Sequence, residues 1–172
     1  MNSIQLPDAE ELLEQLLNQI RRDGARGFAL VGIRTGGVWL AERLHRELVI
    51  KEPLGTLDVS FYRDDFDKIG LRPQIKRSEI PFEVDDAHIL LVDDVLQTGR
   101  TIRAAINELF DYGRPASISL ATLIDRDGRE LPIAAQYVGA KLVLSSQQKI
   151  ELKRADDGRL SLMMVDKKQN HD

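Results

Sequence analysis

The chain contains no cysteine among its 172 residues, which excludes a disulfide framework, thiolate chemistry and any thiolate-held metal. Nowhere do about 18 apolar residues run together, so no membrane-spanning helix is expected. The acidic opening MNSIQLPDAEELLEQL lacks the basic flank and continuous apolar core of a signal peptide. A reducing cytoplasm is therefore the expected location. Positive charge is not in excess either: 24 Lys and Arg face 28 Asp and Glu, for a formal net charge of -4. Constitutive, non-specific binding of nucleic acid needs clustered positive charge, so that class is disfavoured. Two local basic groups, Arg21, Arg22 and Arg26, and Arg72, Lys76 and Arg77, read as solvated surface. With 42% hydrophobic and 30% charged residues, the chain suits one globular domain over 1–172 that can bury a real core.

Two hydrophobic periods alternate along it. Leu12, Leu13, Leu16, Leu17 and Ile20 form an apolar stripe at helical spacing, opened by Pro7 and Asp8 and closed by Gly24. FALVGI, Phe28 to Ile33, is a short strand-forming run, followed after RTGG by a helix with Leu40, Ala41, Leu44 and Leu48 on one face. LDVSFYR, Leu57 to Arg63, alternates like a strand with one wet face. A long polar segment follows, of the kind that is functional or mobile in compact domains. ILLVDD does not alternate, as expected of a central parallel strand covered on both faces. The next helix carries Ile102, Ala105, Ile106, Leu109 and Phe110 and stops at Gly113 and Pro115; ASISLATLID, Ala116 to Asp125, is a fourth strand. The last third holds shorter pieces, KLVLSS and KIELKR, and a hairpin turn at Asp156 to Gly158. Strand and helix alternation implies an α/β domain with a central parallel sheet flanked by helices, its ligands gathered at the carboxyl ends of the strands.

Three polar clusters fall at such ends: RTGG, YRDD and DDVLQTGRT. In the third, Gln97, Thr98, Gly99, Arg100 and Thr101 open a helix, where backbone amides lack intrahelical partners and the dipole favours an anion. Gly99 permits close approach, and the threonine hydroxyls add donors. Asp93 and Asp94 cannot share that anion; they suit hydrogen bonds from neighbouring sugar hydroxyls, or Mg²⁺ through water. A bland reading is equally open on the pattern alone: the aspartates cap a turn and Thr98 caps a helix. No GxxxxGK[ST] and no GxGxxG after a strand is present, so P-loop and dinucleotide folds lack their fingerprints. His45 in a helix and His88 at a strand start read as structural residues, His171 falls in a polar tail, and Trp39 reads as core or interface.

At these residues the chain resembles a known family. ILLVDDVLQTGRT fits the phosphoribosyl pyrophosphate (PRPP) signature of type I phosphoribosyltransferases. SFYRDDF, the spacing to EIPF, and ELFDYGRPASISLATLIDRDGRELPI resemble, over essentially the whole chain, the bifunctional pyrimidine operon regulators that double as uracil phosphoribosyltransferases. The resemblance implies a type I phosphoribosyltransferase fold with a flap over about 64–85 and a small hood formed partly by 126–172. It implies transfer from PRPP to uracil, giving UMP and pyrophosphate, with Mg²⁺ carried by PRPP and no direct side-chain ligand.

The resemblance also implies roles for particular residues. Asp93 and Asp94 would hold the ribose hydroxyls, and the run from Val95 and Leu96 through Gln97, Thr98, Gly99, Arg100 and Thr101 would cradle the 5-phosphate. Arg34, Thr35 and Gly36 would sit against the pyrophosphate. Arg63, counted with the two aspartates as catalytic, and the flap residues Lys76 and Arg77 would approach the leaving group. Asp125 and Arg126 would face uracil. Implied partners are PRPP, uracil, UMP and a pyr leader mRNA, with no membrane and a homodimer or larger assembly. Where the family's pyrophosphate loop commonly reads threonine, arginine, glycine, this chain has Thr35, Gly36 and Gly37. RNA-binding members carry basic residues where this chain has Gly128 and Ala134. Three readings stay open: the enzyme with RNA attenuation, a catalytically weak regulator without it, and a phosphoribosyltransferase for another base.

Overall fold

The computed structural model describes residues 4–24, 27–60 and 78–167. Helix α1, Ala9–Arg22, begins where expected, because Asp8 accepts the amides of Glu10 and Glu11 on its side chain. Its stripe Leu12, Leu13, Leu16, Leu17 and Ile20 is buried. Strand β1, Phe28–Ile33, leads into helix α2, Gly36–Glu47. Strand β2, Gly55–Leu57, is followed after a long excursion by β3, His88–Leu96, helix α3, Arg100–Tyr112, and β4, Ser117–Arg126. Strand β5, Tyr137–Leu142, precedes a hairpin of β6, Gln148–Arg154, and β7, Leu160–Asp166.

Among the described residues, five strands form one sheet in the order β2-β1-β3-β4-β5, and these strands pair in parallel. The central strand β3 is apolar on both faces because both are covered. One cluster joins α1 and α2 to Leu30, Leu90, Val92 and Leu123. A second joins α3, through Ile102, Ala105 and Leu109, to Val31, Ile89 and Leu91. The edge strand β5 is protected by a side chain: Gln19 of α1 donates to the carbonyl of Val138 at 2.8 Å and accepts its amide at 3.2 Å, which blunts an exposed ladder.

Several strand boundaries differ from expectation; β3, read as ILLVDD, runs on through Leu96. The second strand is Gly55–Leu57 rather than starting at Leu57, because its last partner is Ile33, the end of β1. Beyond that pair the chain leaves the sheet, and residues 61–63 lie outside the described residues. KLVLSS supplies only the last two residues of β5; Val143 is 81% exposed, since β4 has ended and offers no further partner. The hairpin turns where expected, at Gly158 with φ +88°.

The hairpin packs beside α1 and α2. Ile150, Leu152 and Leu160 join the core, the amide of Leu160 donates to Glu10 at 2.8 Å, and Arg43 grips the same carboxylate with two bonds of 3.1 and 2.9 Å. Trp39 is half-buried against this core, with the Arg154 guanidinium 4.9 Å from its ring centre, a cation–π geometry. His45 bonds the carbonyl of Glu52, and His88 bonds Ser117. Of the segment 64–85, residues 78–85 are described, and they pack: Val84 is 2% exposed, Ile80 and Phe82 lie on the second cluster, and Glu79 bridges Thr56.

Candidate active site

The carboxyl ends of β1, β3 and β4 lie side by side because the sheet is parallel, and each is followed by a segment rich in polar groups. After β1, Arg34 donates its amide to Leu57 at 2.9 Å and its guanidinium to the Thr56 hydroxyl at 3.0 Å; the Arg34–Thr35 peptide is cis. Thr35 is exposed and serves as N-cap of α2 through its carbonyl, with no side-chain cap bond. After β3, Gly99 with φ +91° caps α3, and Thr98 accepts the Arg100 amide on its hydroxyl at 3.1 Å. Only a residue without a β-carbon adopts that turn cheaply.

The helices differ in a way that bears on charge. The first turn of α1 carries Glu10 and Glu11, which complement its own dipole. The first turns of α2 and α3 carry no acidic residue. Neither helix complements its positive end from its own first turn, and helix N-termini of this kind suit an anion.

The two aspartates stand at the mouth of β3, and they are not equivalent. Both belong to β3 itself, where neighbouring side chains point to opposite faces. Asp93 is 3% exposed and accepts the amide of Asp94 at 2.9 Å. Asp94 is partly exposed, accepts the amide of Val95 at 2.9 Å, and turns toward α2. A β-carbon on Gly36 would lie 2.3 Å from Asp94 Oδ2, and one on Gly37 would lie 2.4 Å from the Val92 carbonyl. The glycine pair thus lets the α2 N-terminus rest directly on the mouth of β3. The Asp94 carboxylate occupies the room a side chain at 36 would need.

After β4, Asp125 lies opposite Leu96 in the ladder. Its carboxylate receives Arg129 Nη2 at 2.7 Å. Arg126 is 4% exposed and donates to the carbonyls of Gln148 at 2.7 Å and Ser145 at 3.3 Å, which fixes the start of the hairpin to the end of β4. The loop 128–133 also reaches the turn after β3: the amides of Glu130 and Leu131 donate to the Thr98 carbonyl, and Arg100 pairs with Glu130 at 2.7 Å. The sequence reading did not single out Arg129 or Glu130. The available signal was their position: two charged residues just beyond the end of β4, the strand that pairs with β3. Arg63, Lys76 and Arg77 lie outside the described residues.

The chain carries a five-stranded parallel sheet with Asp93 and Asp94 at the mouth of its central strand, and the phosphoribosyl transferase domain family matches residues 4–152. Solved structures share the fold: a hypoxanthine-guanine phosphoribosyltransferase from Bacillus anthracis (TM-score 0.64, 21% identity, 81% of this chain and 84% of that one) and a purine phosphoribosyltransferase from Pyrococcus horikoshii (TM-score 0.60, 22%, 84% and 92%). Among curated proteins, "Bifunctional protein PyrR" of Pseudomonas aeruginosa strain LESB58 is 56% identical over 151 residues, 86% of this chain and 89% of that protein. The protein of the same name from Nitrosococcus oceani is 54% identical over 140 residues, 80% and 79% of the two chains. The chain belongs to the PyrR family of phosphoribosyl transferase domain proteins.

Proposed function

We propose that this protein transfers the phosphoribosyl group of PRPP to uracil, and that it is a cytoplasmic regulator of pyrimidine genes. The observation that supports this best is that the first turns of α2 and α3 carry no acidic residue of their own, while Asp94, at the mouth of β3, lies against Gly36 at the start of α2. Such an arrangement accepts two anionic groups with a hydroxylated sugar between them. The amides and hydroxyls of Gln97 to Thr101 bind the 5-phosphate. Asp94, the more accessible carboxylate, accepts from a ribose hydroxyl, while Asp93 holds the strand end that carries it. Arg34, Thr35 and the backbone of Gly36 meet the pyrophosphate, and Arg63, Lys76 and Arg77 approach the leaving group. Asp125 orients uracil, with Arg126 supporting it from behind.

In this reaction the bond from C1 to the pyrophosphate oxygen breaks, N1 of uracil bonds to C1, and the N1 proton leaves to solvent. The ribose passes through an oxocarbenium-like state, so the chain needs no nucleophile of its own; it supplies orientation and fixed charge. The oxygen-rich mouth of β3, with the accessible Asp94 carboxylate, would suit a hard cation carried in by PRPP. When bound, Mg²⁺ offsets the charge that builds on the departing pyrophosphate.

The test is an assay of UMP and pyrophosphate from uracil and PRPP with Mg²⁺. Absence of turnover by folded protein removes the enzymatic reading, and preference for hypoxanthine would reassign the base. Regulation is tested by titrating pyr leader RNA at physiological salt with and without UMP; equal affinity for unrelated RNA removes attenuation. Sedimentation distinguishes a homodimer from a monomer.

A further inference from the structure

An anion-binding turn has a polarity problem. Its amides must face the phosphate while its carbonyls, each carrying a partial negative charge, must be turned away and satisfied elsewhere. In this protein the outward carbonyls of the turn after β3 are received by one short loop. The Thr98 carbonyl accepts the amides of Glu130 at 3.0 Å and Leu131 at 3.1 Å. The Gln97 carbonyl accepts Nη1 of Arg129, whose Nη2 reaches Asp125 Oδ1 at 2.7 Å and whose Nε reaches the Ile133 carbonyl at 2.7 Å. One planar guanidinium therefore holds three acceptors from three places: the phosphate turn, the base-side end of β4 and the loop itself. Its side chain is 27% exposed and that of Asp125 is 16% exposed, so neither bond is fully screened by water.

We propose that Arg129 is a positioning residue that orients the phosphate turn and the base-side carboxylate together, and so couples PRPP binding to uracil binding. This rests on the reading of the site given above. Arg129 touches neither substrate; it acts through the Gln97 carbonyl on the 5-phosphate amides and through Asp125 on the base. An ammonium cannot replace it, since Lys presents one point donor where the fork presents three in a plane.

The experiment measures PRPP affinity by calorimetry with Mg²⁺ and no base, and steady-state KM and kcat for both substrates, on wild type, Arg129→Met, Arg129→Lys, Asp125→Asn and Arg129→Met combined with Asp125→Asn. The expected result for Arg129→Met is PRPP affinity weaker by roughly 10- to 100-fold and a higher uracil KM, with kcat within about threefold. Arg129→Lys recovers only part of the loss. In the double variant the uracil effects are less than additive, whereas the PRPP effect persists unchanged. A role in folding alone would lower the active fraction and Tm with both KM values unmoved, and would overturn the proposal. So would wild-type PRPP affinity in either Arg129 single variant, and the Lys variant keeps the test open if the Met variant does not fold. A wild-type protein that fails to bind PRPP removes the reading of the site and this proposal with it, whereas binding that survives the substitutions removes the proposal alone.

Discussion

Gly36 and Asp94 touch so closely that a single β-carbon at 36 would stand 2.3 Å from Asp94 Oδ2. The backbone at 36 is ordinary helix, so an alanine there is not strained by its own conformation. What it cannot do is coexist with Asp94 where that carboxylate now lies. Gly36→Ala is expected to reduce kcat/KM for PRPP by about tenfold or more, with a fall in Tm of a few degrees at most. Unchanged kinetics would mean that Asp94 serves the substrate from another position.

The inequivalence of the two aspartates makes a second expectation. Asp94→Asn removes the charge from the accessible carboxylate and should weaken use of PRPP by roughly 10- to 100-fold while leaving the melting curve in place. Asp93→Ala empties a buried position that accepts a backbone amide, and should cost about 1–3 kcal/mol of stability. Paired thermal melts and initial rates separate the two; equal losses of stability in both variants would contradict the assignment.

Gln19 provides a third. It makes two hydrogen bonds to Val138, on the free side of the edge strand. Gln19→Ala leaves those backbone groups without their partner and is expected to destabilise the fold by about 1–2 kcal/mol, read by urea titration. Hydrogen exchange at Val138 should accelerate, and unaltered protection there would count against the account.

The fourth concerns acid. The two hydrogen bonds from Arg43 hold the Glu10 carboxyl below its ordinary value of 4.5, against the opposing effect of burial. A carboxyl lowered in the folded state contributes stability that is complete above its unfolded value and disappears as pH falls through its folded value. The gap in Tm between wild type and Glu10→Gln should be constant above about pH 5.5 and shrink below about pH 4.5. A gap that widens in acid would reverse the sign and exclude the mechanism.

How much of this was legible beforehand follows from which forces are local. The buried stripe of α1, the non-alternating β3 and the Gly99 turn are statements about neighbours in sequence, and hydrophobic period and backbone conformation announce them. The limits of β2 and β5 are set by the length of the strand alongside, so Gly55–Leu57 and Tyr137–Leu142 could not be bounded from their own residues; Gly139, Ala140 and Lys141 even dilute the apolar signal. Asp93 and Asp94 were recognisable as a pair, but their division into a buried and an accessible carboxylate required knowing that β3 runs on through Leu96. Arg129 is informative only once Gln97, Asp125 and Ile133 are known to surround it.

The attachment of Glu10 to Leu160, 150 positions apart, has a consequence for synthesis. Helix α1 is synthesised before its docking surface in β4, β5 and the β6–β7 hairpin. Its apolar stripe must therefore wait, exposed, through most of translation, and such long-range closure is slow and invites association. A nascent chain halted before β7 should accordingly need a chaperone's cover, whereas release of the finished hairpin completes the barrier to water around α1.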